Sequence, residues 1–284
     1  MLARRAAAAT MSRVANHSFS LPHPPSGLAV KTPALPVRRW LEHGLGAALE
    51  LLMPPRCVGC SEELPERHDG LMLCGSCRGE LRLIDWPVCG RCAAPVPATG
   101  SIQLACSHCR NDKLRFNRTL ALGSYEGRLR HLVMRMKTDR SELVARTLAE
   151  LAWRELGSKL RELKVDVITA VPMHAWRRWR RGTNPPRAIA ERLAEKLGVP
   201  SAGGMLRLKQ NLPPQVGLSR PARFRNVAGE MAVRPTYYLQ VAHVLVVDDI
   251  LTTGATCSEA ARVLRRAGAE EVSVFALART PAGD

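Results

Sequence analysis

Apolar residues in the C-terminal two thirds of the chain alternate between a spacing typical of buried strands and one typical of amphipathic helices. Short apolar runs predict strands over residues 119–125, 165–171, 242–247 and 271–277. Helical spacing predicts helices over residues 129–136, 143–160, 186–197 and 258–267, with Gly198 ending the third of them. Because strands and helices alternate and the strands are apolar, the pattern favours an α/β fold with a mainly parallel, doubly wound sheet. Such sheets bind ligands past the carboxyl ends of their strands.

The first 112 residues lack this alternation. Residues 40–53 have helical spacing and end at Pro54, which predicts a short helix that packs on the next segment; a helix lying on a membrane surface is the alternative. Residues 1–40 contain arginines but no acid, as in a disordered basic tail, a transit peptide, or a start codon assigned too early, with Met11 as the true start. We therefore predict three segments, 1–40, 41–112 and 113–284.

Eight of the nine cysteines form four Cys-x-x-Cys pairs within the second segment. The last four positions follow the first four by 32 residues each, so the segment is a tandem repeat. The repeated ligands are Cys57, Cys60, Cys74 and Cys77, and then Cys89, Cys92, Cys106 and Cys109. Two Cys-x-x-Cys turns complete a tetrahedral four-thiolate zinc site, so we expect two structural Zn²⁺ ions, one for each repeat. A cross-braced pairing of the first turn with the third also respects the repeat.

The net charge changes the expected class of partner. Lys plus Arg number 42 and Asp plus Glu number 25, which gives a formal charge of +17. A protein this basic usually meets an anion, such as a nucleic acid, a nucleotide phosphate or a membrane surface. No uncharged apolar run approaches the roughly 18 residues of a membrane span, so we expect no transmembrane segment.

The end of the third predicted strand carries the strongest candidate for a ligand site. Asp248 and Asp249 follow four apolar residues, and the small and hydroxyl residues that come next are Thr252, Thr253, Gly254, Ala255 and Thr256. Backbone N–H groups and hydroxyls at a helix start bind phosphate, whereas paired carboxylates suit sugar hydroxyls or hydrated Mg²⁺. The combination predicts a site for a ribose 5-phosphate.

These residues resemble the phosphoribosyl pyrophosphate (PRPP) loop of type I phosphoribosyltransferases. Residues 51–279 as a whole are similar to the ComF family, in which a double zinc ribbon precedes a phosphoribosyltransferase-like domain. The further matches, in chain order, are residues 125–130 with Met136 and Lys137, residues 170–174, Arg181, Gly182 and Asn184, and then Gln215, Leu218, Arg223 and Asn226. Thr183 and Pro185 depart from the family pattern, which usually has Phe and Gln there.

The resemblance implies roles for individual residues. Asp248 and Asp249 would hold the ribose 2- and 3-hydroxyls, and residues 252–256 the 5-phosphate. Pro172, Met173 and His174 would line the pyrophosphate, with Mg²⁺ carried in by PRPP. His174 is either an acid–base catalyst or a phosphate contact, and Lys137 either reaches a phosphate or is a solvated lysine. An active phosphoribosyltransferase of nucleotide or cofactor metabolism is the alternative to a binding protein, and Cys257 is interpreted as a small packed residue.

A basic stripe runs from residue 172 to residue 225, with twelve basic residues against Glu191 and Glu195, or +10. Its first part interleaves Trp176 and Trp179 with Arg177, Arg178, Arg180 and Arg181. Arginines bind phosphates and exposed indoles stack on bases, so this pattern favours contact with single-stranded DNA. The resemblance implies a cytoplasmic protein of natural transformation, with DNA-uptake machinery proteins as further partners.

Overall fold

A computed structural model describes residues 54–65, 69–84, 87–96, 106–112, 114–173, 182–213, 215 and 217–281. The predicted tail (1–40) and the predicted helix over residues 40–53 lie outside the described residues. Residues 50–284 form one compact unit. Its described elements, in chain order, are α1 (Gly75–Gly79), β1 (Arg118–Ser124), α2 (Gly127–Met136), α3 (Leu143–Glu162), β2 (Val167–Ala170), α4 (Pro185–Leu197), β3 (Leu206–Leu208), α5 (Arg220–Val227), β4 (Met231–Val233), β5 (His243–Leu251), α6 (Ala255–Arg266) and β6 (Glu271–Arg279).

Four strands form a parallel sheet in the order β1-β6-β5-β2, and β3 pairs with β4 in a separate two-stranded antiparallel sheet. Both faces of the sheet are covered by helices. On β5, Leu245 packs in a core with residues of α3 and α4, whereas its neighbour Val246 packs in a second core with residues of α6. This alternation of buried side chains confirms the doubly wound parallel sheet that the apolar strands predicted.

The two cysteine repeats pack against opposite faces of the sheet. Leu71 and Leu81 of the first repeat belong to the core that contains α3 and α4. Ala94 and Cys109 of the second repeat belong to the core that contains α6. The N-terminal module therefore extends both hydrophobic cores of the sheet domain.

The structure differs from the sequence prediction at the end of β5. We expected the strand to stop at Val247, but β5 continues to Leu251. The neighbouring strand β2 does end there, with Ala170 opposite Val247, whereas β6 continues and pairs its Ala278 with Ile250. Asp248 and Asp249 thus lie on a strand that is paired on one side only, and the open side is available to a ligand.

We expect Glu150→Gln to destabilise the fold, because Glu150 of α3 binds two basic residues of α4. Its Oε2 lies 2.8 Å from Arg192 Nη2 and 3.0 Å from Lys196 Nζ. Burial raises the pKa of Glu150, but the two cations lower this pKa by more than burial raises it. The pKa of Glu150 therefore lies below its ordinary value. The carboxylate is then ionised throughout pH 6–8. The expected loss, measured from urea unfolding, is about 2 kcal/mol at every pH in that range, between typical values for exposed and buried pairs.

Glu195→Gln provides the matched control for this measurement. Glu195 also binds Arg192, at 2.7 Å, but its side chain is 67% exposed. Exposed pairs contribute little to stability, so this control should unfold close to wild type. Equal urea midpoints for Glu150→Gln and wild type would contradict the prediction.

Candidate functional site

The eight paired cysteines form two clusters that follow the repeat. In each cluster the four Sγ atoms lie within 4.8 Å of one another. The first consists of Cys57, Cys60, Cys74 and Cys77, and the second of Cys89, Cys92, Cys106 and Cys109. Each repeat therefore forms its own cluster, and the structure does not bring the cysteines into the cross-braced arrangement.

The spacing of the sulfur atoms fits zinc. Sγ–Sγ distances are 3.7 Å for Cys60 with Cys74 and 3.7 Å for Cys92 with Cys106. A tetrahedron with Zn–S bonds of roughly 2.3 Å places its sulfurs about 3.8 Å apart. Each cluster thus has the ligand type, number and spacing of a structural zinc site, in which the protein fills all four positions.

The first cysteine of each repeat lies among backbone N–H groups that stabilise its thiolate form. Burial raises the pKa of Cys57, but N–H groups, including that of Cys74, lower it to about 6. Burial also raises the pKa of Cys89, but the N–H groups of Cys92, Arg91 and Cys106 lower it to about 7. Because the thiolate is the form that binds a metal, these N–H groups favour metal binding near neutral pH.

The two acids of β5 are held by the backbone beside them. Asp249 N donates to Asp248 Oδ1 at 2.8 Å, and Ile250 N donates to Asp249 Oδ1 at 2.8 Å. Burial raises the pKa of Asp248 well above its ordinary value, and the negative charge of Asp249 raises it further. Two carboxylates this close attract a cation or a donor of hydrogen bonds, such as a sugar hydroxyl.

The loop after β5 joins the acids to the start of α6. Gly254 precedes the first helical residue with φ +78°, and a Cβ on it would lie 3.3 Å from Phe116 Cζ. Thr253 Oγ1 accepts a hydrogen bond from Ala255 N at 3.3 Å. Positive φ and close packing both require glycine here, and the N–H groups at a helix start suit a phosphate.

Residues from other elements meet this edge of the sheet. Lys137 directly follows α2, and its Nζ lies 3.3 Å from Asp249 Oδ2. Gln215 Nε2 donates to Thr256 Oγ1 at 3.2 Å. Pro172 and Met173 follow β2, whose last pairing extends through Val171 N to Val247 O. The structure thus brings Lys137 to the acids, where sequence reasoning left its role open.

Sequence reasoning did not assign a site role to Gln215. It was noted only within a family match, because a glutamine in a proline-rich loop carries no signal of its own. Cys257 is fully buried, and burial and the charge of Asp248 raise the pKa of its thiol. This agrees with its interpretation as a small packed residue.

Part of the predicted site lies outside the described residues. This part consists of His174, Trp176, Arg177, Arg178, Trp179, Arg180 and Arg181, which stay predictions. Farther along the stripe, basic residues are paired with acids: Arg187 with Glu191, Lys196 with Glu150, and Arg220 with Asp112. Glu150 and Asp112 come from other parts of the chain, so the sequence count overstated the unneutralised charge of this segment.

No helix in the part of the chain that the structure describes has the length and apolarity needed to cross a membrane. The candidate functional features of the described residues are the two cysteine clusters and the carboxyl end of β5.

Residues 48–110 match the double zinc ribbon domain family, and residues 187–284 match the phosphoribosyl transferase domain family. The chain is 29% identical to competence protein F of Haemophilus influenzae, over 79% of this chain and 96% of that protein. It is 32% identical to DNA utilization protein YhgH of Salmonella typhi and 30% identical to that of Escherichia coli, in both cases over 73% of this chain and 97% of the relative. Among solved structures, a purine phosphoribosyltransferase from Pyrococcus horikoshii is similar at 22% identity and a TM-score of 0.31, covering 46% of this chain and 82% of that one.

Proposed function

We propose that this chain, which belongs to the ComF family and carries its double zinc ribbon and phosphoribosyltransferase-like domain, binds PRPP together with Mg²⁺ at the carboxyl end of β5. One observation carries the proposal. Two acids on the open side of β5 lie directly before a glycine-containing loop and helix start, with Lys137 Nζ 3.3 Å from Asp249. Few ligands other than a ribose 5-phosphate need hydroxyl acceptors and phosphate donors side by side.

Each group has a defined role in this proposal. Asp248 and Asp249 accept hydrogen bonds from the ribose 2- and 3-hydroxyls, and the 252–256 loop holds the 5-phosphate. Pro172, Met173 and His174 line the pyrophosphate, and Mg²⁺ enters with it. Lys137 neutralises Asp249 in the free protein and turns to a phosphate oxygen when the ligand arrives. The two zinc ions are structural and keep both ribbons folded against the sheet.

The second candidate function is phosphoribosyl transfer to an acceptor. Lys137 favours it, because a cation beside the acids can stabilise charge on departing pyrophosphate. In the test, purified protein is mixed with PRPP, Mg²⁺ and a small-molecule cell extract, and phosphoribosyl products are followed by mass spectrometry. Products absent from the Asp248→Asn/Asp249→Asn variant would establish turnover. PRPP that stays intact yet copurifies with wild type would establish binding alone.

We also propose that the chain contacts single-stranded DNA and acts on the cytoplasmic side of DNA uptake, together with uptake proteins. The names of its relatives, competence protein F and DNA utilization protein, support this, as does the net charge of +17. A cavity of about 550 Å³ beside α6 adds a basic surface. It is lined by Arg91, Arg115 and Arg265 with Leu114, Phe116 and Asn117, and no carboxylate is among these residues.

The DNA proposal predicts affinity that falls steeply with salt. Arg177→Ala/Arg180→Ala should reduce the slope of log K against log salt by about 1.4, because each lost phosphate contact on a single strand removes roughly 0.7. The measurement is fluorescence anisotropy with a labelled oligonucleotide at several salt concentrations. Arg56→Ala is the control, because Arg56 lies in the first ribbon and is bound to Glu63 at 3.0 Å. An unchanged slope in the double variant would remove these residues from the DNA contact.

A further inference from the structure

Arg279 is a buried arginine at the end of β6 that joins the second cysteine cluster to the ligand loop. Only 3% of the residue is exposed. Its Nη1 donates to the carbonyl of Leu251 at 3.1 Å, at the last residue of β5 before the 252–256 loop. Its Nε donates to the carbonyl of Cys92 at 2.9 Å, within the second cluster. One side chain thus spans from a metal-binding turn to the strand end where the loop begins.

The charge of Arg279 needs a counter-charge that its hydrogen-bond partners do not supply. Within the described residues, its guanidinium hydrogen-bonds to carbonyls, to the Thr280 hydroxyl and to His108 Nε2, and forms no ion pair with a carboxylate. A buried cation without a partner is unfavourable by several kcal/mol. A zinc ion with four thiolate ligands retains net negative charge, so a loaded second cluster provides that partner.

Two more contacts run from the second ribbon to the same loop. Leu114 and Phe116, which follow the cluster, pack against Gly254, where a Cβ would lie 3.4 Å and 3.3 Å from them. Arg220, the first residue of α5, donates to the carbonyl of His108 at 3.2 Å. The segment just before α5 holds Gln215, which donates to Thr256. The 252–256 loop is therefore contacted at three places. Arg279 binds the residue just before it, Leu114 and Phe116 pack against Gly254, and Gln215 binds Thr256.

The first ribbon makes different contacts. In the described residues its hydrogen bonds and ion pairs reach α2, α3 and β1, as in Arg78 with Glu155 at 2.8 Å and Arg135 with the carbonyl of Val58 at 2.7 Å. In addition, the backbone N–H of Ser124 in β1 donates a hydrogen bond to the carbonyl of Arg82. None of these partners belongs to β5 or to the 252–256 loop.

We infer that the second zinc site, acting through Arg279 as a positioning residue, holds the 252–256 loop in its ligand-binding geometry, and that the first zinc site does not. The inference rests on the proposed ligand site and adds a dependence on one particular metal ion. When the second zinc is lost, the turn that contains Cys92 is no longer held in place, so Arg279 loses the bond from its Nε to the Cys92 carbonyl. Its bond to the Leu251 carbonyl then weakens, and the loop becomes mobile.

Equivalent cysteines of the two repeats supply a matched test. Cys74 and Cys106 are 32 residues apart, occupy the same position in their clusters and are both half-buried. Cys74→Ser and Cys106→Ser should each reduce zinc content. Cys106→Ser should speed hydrogen exchange over residues 251–257 and weaken PRPP–Mg binding, by about 10-fold. Cys74→Ser should leave hydrogen exchange over residues 251–257 within twofold of wild type.

Variants of Arg279 test the route of the coupling. Arg279→Met should keep two zinc ions yet speed exchange over residues 251–257 and weaken PRPP–Mg by about 10-fold. Combined with Cys106→Ser it should add little, because both changes remove the same support. Arg279→Lys, which keeps the charge and one donor group, should fall between Met and wild type, and it serves as the test if the Met variant fails to fold.

Equal effects of the two cysteine variants on the loop, or wild-type exchange in Arg279→Met, would overturn the inference. So would fully additive effects of Cys106→Ser and Arg279→Met. The exchange readout needs no ligand, so it separates this inference from the proposed function. If wild type binds no PRPP, the proposed function fails, while the exchange data still decide whether the second zinc supports the loop.

Discussion

Asp248→Asn/Asp249→Asn is expected to weaken PRPP–Mg binding by at least 100-fold while the protein stays folded. Each carboxylate accepts a charge-assisted hydrogen bond from a ribose hydroxyl in our account, and such bonds contribute roughly 1.5–3 kcal/mol each. Losing both amounts to about 3–6 kcal/mol, or roughly 10²–10⁴ in the dissociation constant. The fold should tolerate the change, because the side-chain oxygen of Asn can still accept the hydrogen bonds that Asp248 and Asp249 receive from the backbone N–H groups of Asp249 and Ile250.

Ligand-induced thermal stabilisation measures this effect. At a ligand concentration 100 times the dissociation constant, wild type gains about 2.7 kcal/mol, whereas the double variant should gain close to nothing. Glu191→Gln/Glu195→Gln is the matched control, because it also removes two carboxylates but from the exposed surface of α4, where their side chains are 40% and 67% exposed. A ligand shift that survives in the Asn variant would place the ligand elsewhere.

Removing either zinc ion is expected to have the largest effect on stability. Structural zinc in small ribbons supplies on the order of 10–16 kcal/mol of binding energy per site. Without its zinc ion the ribbon concerned should unfold, while the parallel sheet keeps its own strand pairing. The purified protein should contain two zinc ions per chain.

Atomic absorption and chelator titration, followed by circular dichroism, test this prediction. Cys57→Ser and Cys89→Ser should each retain one zinc, because each removes a ligand from a separate cluster. The combined Cys57→Ser/Cys89→Ser variant should then hold no zinc, whereas one remaining zinc would show the cross-braced arrangement, in which Cys57 and Cys89 bind the same ion. A protein with no zinc that keeps its native circular dichroism would contradict the structural role of the metal.

Many of the helices and strands of the sheet domain could be predicted from apolar spacing alone. The predicted helix over residues 186–197 differs from α4 by one residue, and its end at Gly198 is confirmed, with φ +71° at that glycine. The cysteine spacing likewise predicted the two clusters, because ligands and turns lie close together in the sequence. Local patterns of this kind record secondary structure and nearby ligands directly.

The features that the sequence did not predict depend on contacts between distant parts of the chain. The continuation of β5 past Val247 comes from pairing with β6, and aspartates in a strand are unfavourable enough that the sequence predicted a loop. The last strand was predicted over residues 271–277, but β6 extends to Arg279, which binds a turn 187 residues away. Asp112 neutralises Arg220 across a separation of 108 residues, which a charge count over one segment misses. Such contacts exist only once the tertiary fold has formed.

The most direct test of the central claim is a calorimetric titration of the wild-type protein with PRPP in the presence of Mg²⁺. A parallel titration uses glucose 6-phosphate, which brings a phosphate without a ribose. We expect one saturable PRPP site per chain, with heat that depends on Mg²⁺, and binding of glucose 6-phosphate that is at least 100-fold weaker. Equal binding of the two compounds, or no saturable binding of PRPP, would contradict a ribose 5-phosphate site at Asp248, Asp249 and the 252–256 loop.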